Sequence, residues 1–175
     1  MGIYADLFNR SDKKTTIKKK QMILEAPHKN LFISEDSQSG ILTASFAKDY
    51  PLKILIVEDD IVNQKLIERI LLKLGYLTDT VSDGVQVLNS LVKKEYDVIL
   101  MDVRMPEMDG LETTRYIRRQ KIEQPYIIAM TANAMSNDRE ECLQIGMNDY
   151  IAKPMRLAEI IKILKTAASC VLGKN

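Results

Sequence analysis

The chain has 175 residues, an apolar fraction of 46%, and 25 Lys and Arg residues against 24 Asp and Glu residues. This length accommodates one ordinary domain and an extension. The even charge balance excludes the large basic field of a nucleic-acid-binding surface, and no apolar run is long enough to cross a bilayer. We therefore expect a cytoplasmic protein without nucleic-acid or membrane contacts, whose two cysteines, Cys142 and Cys170, stay reduced.

The first 50 residues are patchy and polar, and they include a lysine run at 18–20. Only a short helix at 3–8 and a weak strand at 15–24 are indicated there. We interpret residues 1–50 as a linker or N-terminal extension and residues 51–172 as the folded domain.

From residue 52 onward, apolar strand-like runs alternate with amphipathic helices. Three of the runs are almost continuously apolar, which is typical of parallel strands covered on both faces. The five predicted strands are residues 52–58, 77–81, 96–102, 125–131 and 149–152. The predicted helices follow them: an apolar stripe from Ile67 to Leu74 that stops at Gly75, a helix opening at 82–84, and helices at 111–119, at 134–145 and from 157.

Five strand–helix units of this length predict a doubly wound α/β fold with right-handed crossovers. In such folds, ligands bind beyond the carboxyl ends of the strands. Four of the predicted strands end in polar residues that would meet at this edge of the sheet. They are Glu58, Asp59 and Asp60 after the first strand, Asp102 at the third, Thr131 at the fourth and Lys153 at the fifth.

This set of side chains has the chemistry needed to form an aspartyl phosphate. Clustered carboxylates repel each other, and a hard divalent cation such as Mg²⁺ relieves that repulsion. A carboxylate with a free oxygen can attack phosphorus in line, while a lysine and a hydroxyl stabilise charge on the equatorial oxygens. Each residue alone has a plainer explanation, and Asp60 in particular suits the N-cap of the next helix.

Four motifs in this order resemble the receiver domain of response regulators over residues 52–170. The most diagnostic is the run at 98–110, VILMDVRMPEMDG. The others are ILIVEDD at 54–60 followed by VNQK at 62–65, AMTA at 129–132, and DYIAKP at 149–154. The resemblance implies a flavodoxin-like, five-stranded parallel sheet with strand order 2-1-3-4-5 and helices on both faces.

The resemblance also implies a role for each matching residue. Asp102 would be the phosphoacceptor, with Lys153 and Thr131 as its catalytic partners. Mg²⁺, or Mn²⁺ in its place, would be held by Glu58 acting through water, by Asp59, by Asp102 and by the backbone carbonyl of Arg104. Thr131 and Tyr150 would form the switch, and the peptide bond between Lys153 and Pro154 would be cis.

As the resemblance implies, the phosphoryl group would come from a phosphohistidine on a histidine kinase or a histidine phosphotransfer domain. Phosphorylation would then change the surface of the fourth helix, fifth strand and fifth helix, which an unidentified downstream effector reads. We expect self-directed phosphotransfer and dephosphorylation but no turnover of an external substrate. The resemblance leaves a homodimer open.

The subtype resembles the C-terminal receivers of hybrid histidine kinases, as the run NDYIAKPM at 148–155 and the linker-like FAKDYPL at 46–52 indicate. No kinase catalytic motif is visible, and His28 lacks the surroundings of a phosphorylated kinase histidine. The chain is therefore interpreted as a fragment of such a kinase or as a stand-alone receiver. Because it ends at Asn175, soon after the last helix, we expect no DNA-binding domain.

Three alternative functions remain. A phosphatase of the haloacid dehalogenase type needs a second aspartate two residues after the nucleophile, where this sequence has Arg104. A flavin-binding module needs a hydroxyl-rich phosphate loop where this sequence has Glu58, Asp59 and Asp60. A phosphorylation-independent pseudo-receiver usually lacks the acceptor, an acidic residue or the lysine, and all of these are present here.

Overall fold

A computed structural model describes residues 45–132 and 136–173 of the chain. The helix predicted at 3–8, the strand predicted at 15–24, the lysine run and His28 lie outside the described residues, as do Asn133, Ala134 and Met135. Within the described residues, no helix combines the length and the apolar character that a bilayer crossing requires.

The centre of the fold is a five-stranded sheet with the order β2-β1-β3-β4-β5, in which every pair of neighbours is parallel. This confirms the predicted strand order and α/β class. The strands are β1 (Ile54–Val57), β2 (Asp79–Val81), β3 (Val98–Asp102), β4 (Tyr126–Thr131) and β5 (Asp149–Ala152). The helices that follow them are α1 (Ile61–Lys73), α2 (Gly84–Lys93), α3 (Gly110–Arg119), α4 (Ser136–Ile145) and α5 (Leu157–Leu172).

The sheet separates two hydrophobic cores, which explains why the central strands have no polar face. Successive side chains of a strand point to opposite faces. In β1, Ile54 and Ile56 therefore join one core, where they meet α1 and α5, while Leu55 and Val57 join the other, beneath α2, α3 and α4. Strands β3 and β4 divide their side chains in the same way.

The second predicted strand is longer than the one observed, as are the first and third, which were predicted at 52–58 and 96–102. The second strand is predicted at 77–81, but β2 contains only Asp79–Val81, and Leu77 before it is 88% exposed. As an edge strand, β2 pairs only with β1, through Leu55, Ile56 and Val57. The predicted helix boundaries agree closely with the observed ones. Helix α1, for example, ends before Gly75, whose φ of 91° is a conformation that glycine readily adopts.

A four-residue helix, Phe46–Asp49, precedes β1 and is called the leading helix below. Phe46 is buried in the core between the sheet, α1 and α5, and the hydroxyl of Tyr76 donates to the carbonyl of Tyr50 at 2.6 Å. The amide of Ala47 also donates to the carbonyl of Leu74, at the end of α1. The last residues of the predicted extension are thus packed onto the domain.

Candidate functional site

The site begins with the side chain of Lys153, which follows β5. Its Nζ atom lies 2.7 Å from Oε2 of Glu58 and 2.7 Å from Oδ2 of Asp102. Glu58 follows β1 and Asp102 ends β3, two strands that are adjacent in the sheet. One ammonium therefore bridges two carboxylates from neighbouring strands, at the edge where parallel strands place their carboxyl ends.

Glu58 is the most deeply buried of these charged groups, with 1% of its surface exposed. Its Oε1 accepts a 2.9 Å hydrogen bond from Nδ2 of Asn63, and its Oε2 forms an ion pair with Lys153. Burial raises the pKa of the Glu58 carboxyl, and its contacts with Lys153 and Asn63 offset only part of this effect. Burial alone would lower the pKa of Lys153, but its hydrogen bonds to Asp102 and Glu58 outweigh burial and raise it.

Asp102 is held at the end of β3 by the loop that follows it. The amide of Arg104 donates to Oδ1 of Asp102 at 3.3 Å, and the chain then turns back so that the amide of Gly110 donates to the carbonyl of Val103. A Cβ atom at Gly110 would lie 2.1 Å from the backbone oxygen of Asp102. Only glycine therefore allows α3 to begin this close to the candidate acceptor.

Asp59 completes an acidic cluster with Glu58 and Asp102. One carboxylate oxygen of each residue lies within 4.8 Å of the other two. Asp59 is exposed, while Glu58 and Asp102 are buried. Oxygen ligands at this spacing fit a hard divalent cation, which would also relieve the mutual repulsion of the carboxylates.

A groove of about 490 Å³ opens beside this cluster, between the loop after β3 and helix α4. Asp59, Arg104 and Thr131 line it together with Met105 and Glu141. Thr131, at the end of β4, is buried, and its carbonyl accepts a 2.8 Å hydrogen bond from the amide of Lys153. The structure thus brings Asp102, Glu58, Asp59 and Lys153 together and places Thr131 and Arg104 on the adjoining groove.

The remaining predicted residues lie on β5 and just after it. The Lys153–Pro154 peptide bond is cis. Tyr150 is half-buried in β5, and the guanidinium of Arg139 on α4 lies 5.2 Å from the centre of its ring. Tyr150 therefore connects the strand next to Thr131 with the surface of α4.

Two residues on α1 contact the site, although the sequence analysis gave them no role. Nδ2 of Asn63 donates to the carboxylate of Glu58, and Nε2 of Gln64 donates to the Glu58 backbone oxygen. Their position in the first turn of a helix starting directly beside an acidic strand end was the available signal. The neighbouring Asp60 accepts hydrogen bonds from the amides of Val62 and Asn63, which confirms the predicted N-cap.

Comparison with known proteins gives a family and a subtype. Residues 54–165 match the family described as the response regulator receiver domain. The hybrid signal transduction histidine kinase H of Dictyostelium discoideum is 46% identical over 123 residues, which are 67% of this chain but 9% of that kinase. The chain thus spans less than a tenth of the kinase's length.

Two solved structures resemble the fold. The receiver domain of sensor histidine kinase PA1611 from Pseudomonas aeruginosa, crystallised with magnesium in its active-site cleft, is 50% identical with a TM-score of 0.62, covering 67% of this chain and 98% of that one. The receiver of Ssk1 from Saccharomyces cerevisiae, crystallised with the histidine phosphotransfer protein Ypd1, is 26% identical with a TM-score of 0.63, covering 69% and 91%. The chain belongs to the response regulator receiver domain family of two-component signalling, and it resembles the receivers of hybrid histidine kinases.

Proposed function

We propose that Asp102 is the phosphoacceptor of this receiver and that its donor is a phosphohistidine. The observation that carries the proposal is the position of Lys153, whose Nζ atom lies 2.7 Å from both Asp102 and Glu58 at the carboxyl ends of two adjacent strands. A cation fixed there can stabilise the charge of a transferring phosphoryl group.

In the proposed transfer, an oxygen of the Asp102 carboxylate attacks phosphorus as the bond between phosphorus and the imidazole nitrogen breaks. The electron pair of that bond stays on the imidazole, and the aspartate becomes an acyl phosphate. Hydrolysis returns Asp102 to its free carboxylate. Water attacks phosphorus, the bond to the Asp102 oxygen breaks, and inorganic phosphate leaves. Lys153 stabilises negative charge in both steps, and Thr131 donates from its hydroxyl.

We further propose that Glu58, Asp59, Asp102 and the backbone carbonyl of Arg104 hold Mg²⁺. When bound, the ion would neutralise charge on the phosphoryl oxygens. The three carboxylates supply the hard oxygen ligands that Mg²⁺ prefers, and the shallow, exposed position of Asp59 leaves room for the waters that this ion retains.

The proposed donors are a histidine kinase and a histidine phosphotransfer domain. The similarity to hybrid kinases and to the Ssk1 receiver supports this choice. We propose that residues 1–50 connect the receiver, residues 51–172, to an upstream module of such a kinase, and that transfer takes place in the cytoplasm.

The output surface is proposed to be α4, β5 and α5. A phosphoryl group on Asp102 adds up to about two negative charges, which attract Thr131 and Lys153. Because the carbonyl of Thr131 is hydrogen-bonded to the amide of Lys153, their movement is transmitted to β5 and Tyr150. The contact between Tyr150 and Arg139 then changes, and with it the surface of α4 that a downstream effector reads.

The alternative functions are less consistent with this site. A phosphatase of the haloacid dehalogenase type has no second aspartate here, because position 104 is Arg. Glu58 and Asp59 would repel the phosphate of a flavin cofactor. A pseudo-receiver would not need an intact acceptor, metal cluster and lysine in contact with each other.

The test is to incubate the full chain with acetyl phosphate and Mg²⁺ and to measure its intact mass. We expect wild type to gain the mass of one phosphoryl group and Asp102→Asn to gain none. Asp60→Asn is the matched control, since asparagine also caps helices well and Asp60 faces the helix amides rather than the cluster. Phosphorylation of Asp102→Asn to the level of wild type would contradict the proposal.

A further inference from the structure

Helix α1 starts directly after the acidic pair, and its first turn contacts Glu58 in two ways. Nδ2 of Asn63 donates to Oε1 of the Glu58 carboxylate at 2.9 Å. Nε2 of the next residue, Gln64, donates to the Glu58 backbone oxygen and lies 3.3 Å from Oγ of Ser82, beyond the end of β2. Gln64 is buried, so this anchor is shielded from water.

Together these contacts determine the orientation of the Glu58 carboxylate. The terminal torsion of a glutamate is broad, so a buried carboxylate keeps one orientation only if both its oxygens are held. Asn63 holds Oε1, and Lys153 holds Oε2. Lys153 also contacts Asp102, so it must respond when charge arrives there, whereas the neutral amide of Asn63 has no such second partner among the described contacts.

Helix capping does not require the Asn63 side chain. The N-cap Asp60 accepts from the backbone amides of Val62 and Asn63, at 2.8 and 2.9 Å, and these bonds persist with any side chain at position 63. The carboxamide is therefore directed at the acidic cluster rather than at the start of the helix.

We propose that Asn63 is a positioning residue for divalent-cation binding: it fixes the plane of the Glu58 carboxylate within the cluster that Glu58 forms with Asp59 and Asp102. Gln64 supports this by fixing the backbone at Glu58. The inference rests on the proposed function, because it assumes that the cluster binds Mg²⁺. It also gives a physical reason for Asn63 and Gln64 within the sequence VNQK.

The test compares the Mg²⁺ affinity of the full chain by isothermal titration calorimetry in wild type, Asn63→Ala and Asn63→Leu. We expect both variants to bind Mg²⁺ about tenfold more weakly or worse, the range typical of lost partners of metal ligands. The Mg²⁺ concentration that half-saturates phosphorylation by acetyl phosphate should rise equally, while the rate at saturating Mg²⁺ stays close to wild type. A merely structural role would not separate these two quantities.

The matched control is Gln86→Ala. Gln86 occupies the same third position of α2, but its side chain donates to the N-cap Asp83 instead of to a carboxylate of the cluster. The control should bind Mg²⁺ like wild type. Folded Asn63 variants with wild-type Mg²⁺ affinity, or an equal loss in Gln86→Ala, would overturn the inference. Failure of wild type itself to bind Mg²⁺ would instead refute the proposed function.

Discussion

Glu58 lies in an environment that disfavours its charged form. Its carboxylate is 1% exposed, it lies beside two other carboxylates, and burial raises its pKa despite the contact with Lys153. Retaining a charge under these conditions costs stability, and a binding function can explain the cost. The buried position of Glu58 therefore lowers the stability of the metal-free protein.

Replacing Glu58 by glutamine should therefore stabilise the metal-free protein at pH 7. Because the pKa of Glu58 is raised above 4.5 in the folded protein, folding favours its protonated form. Wild type therefore loses stability relative to Glu58→Gln as pH rises from 4.5 to the folded-state pKa, so the difference between the two proteins is larger at pH 7 than at pH 5. Urea unfolding in EDTA at both pH values measures this.

The control for this prediction is Glu95→Gln, since Glu95 is exposed. Its stability should follow that of wild type at both pH values. A Glu58→Gln variant that is less stable than wild type at pH 7 would show that the ion pair with Lys153 outweighs the cost of burial.

At the residue scale, much of the site could be predicted because chemistry and strand ends coincide in the sequence. Glu58, Asp102 and Lys153 each follow or end an apolar run, and the contacts of Lys153 unite them. Asn63 could not be found in this way, because a polar residue in the first turn of a helix is common and only the coordinates show where its amide points.

Among the elements, helix α1 has residues in three different environments. Ile67 and Leu71 pack into the core, Asn63 faces the acidic cluster, and Val62 and Leu66 are 70% and 46% exposed. Residues four apart lie on the same face of a helix, so Val62 and Leu66 form an apolar stripe next to the phosphoacceptor edge. Such a stripe is suited to contact a protein donor.

We expect Leu66→Ser to slow phosphotransfer from a phosphorylated histidine phosphotransfer domain severalfold, because it removes apolar contact area, and to leave phosphorylation by acetyl phosphate unchanged. Val92→Ser, at an exposed apolar position near the end of α2, is the control. Transfer rates from both donors, followed by radiolabelled phosphate, give the comparison. Equal slowing with acetyl phosphate would place the effect in the site instead.

The elements themselves were predictable where burial is complete. β1, β3 and β4 are buried along their whole length, and their continuous apolar runs mark them clearly. The edge strand β2 is only half-buried, so Leu77 could be counted as part of it although it is exposed. The pattern of side chains reports burial rather than backbone pairing. The predicted runs at 52–58 and 96–102 therefore also extend beyond β1 and β3, because Leu52 and Tyr96 are buried although they lie outside the strands.

At the scale of the whole molecule, the leading helix extends the core between the sheet, α1 and α5. Composition alone assigned it to the extension, since four residues are too few for a recognisable helical period. Phe46 nevertheless packs against Tyr76, with ring centroids 6.2 Å apart, and burial raises the pKa of Tyr76 to about 12. We therefore infer that the cooperative folding unit begins before residue 51.

Phe46→Ala should destabilise the protein by about 3 kcal/mol, since it removes a buried aromatic ring and leaves a cavity. Leu77→Ala, at an 88% exposed position on the same end of the sheet, should change stability little. Urea unfolding of both variants provides the measurement. A neutral Phe46→Ala would indicate that the leading helix is dispensable for folding.

The leading helix also determines where a tethered chain leaves the domain. It lies against the end of α1, at the amino ends of the strands, while Asp102 lies at their carboxyl ends. At residue 45, the first described residue, the chain therefore enters the domain on the side of the sheet opposite Asp102. This entry point leaves the carboxyl ends of the strands, where Asp102 lies, on the opposite side of the sheet from residue 45.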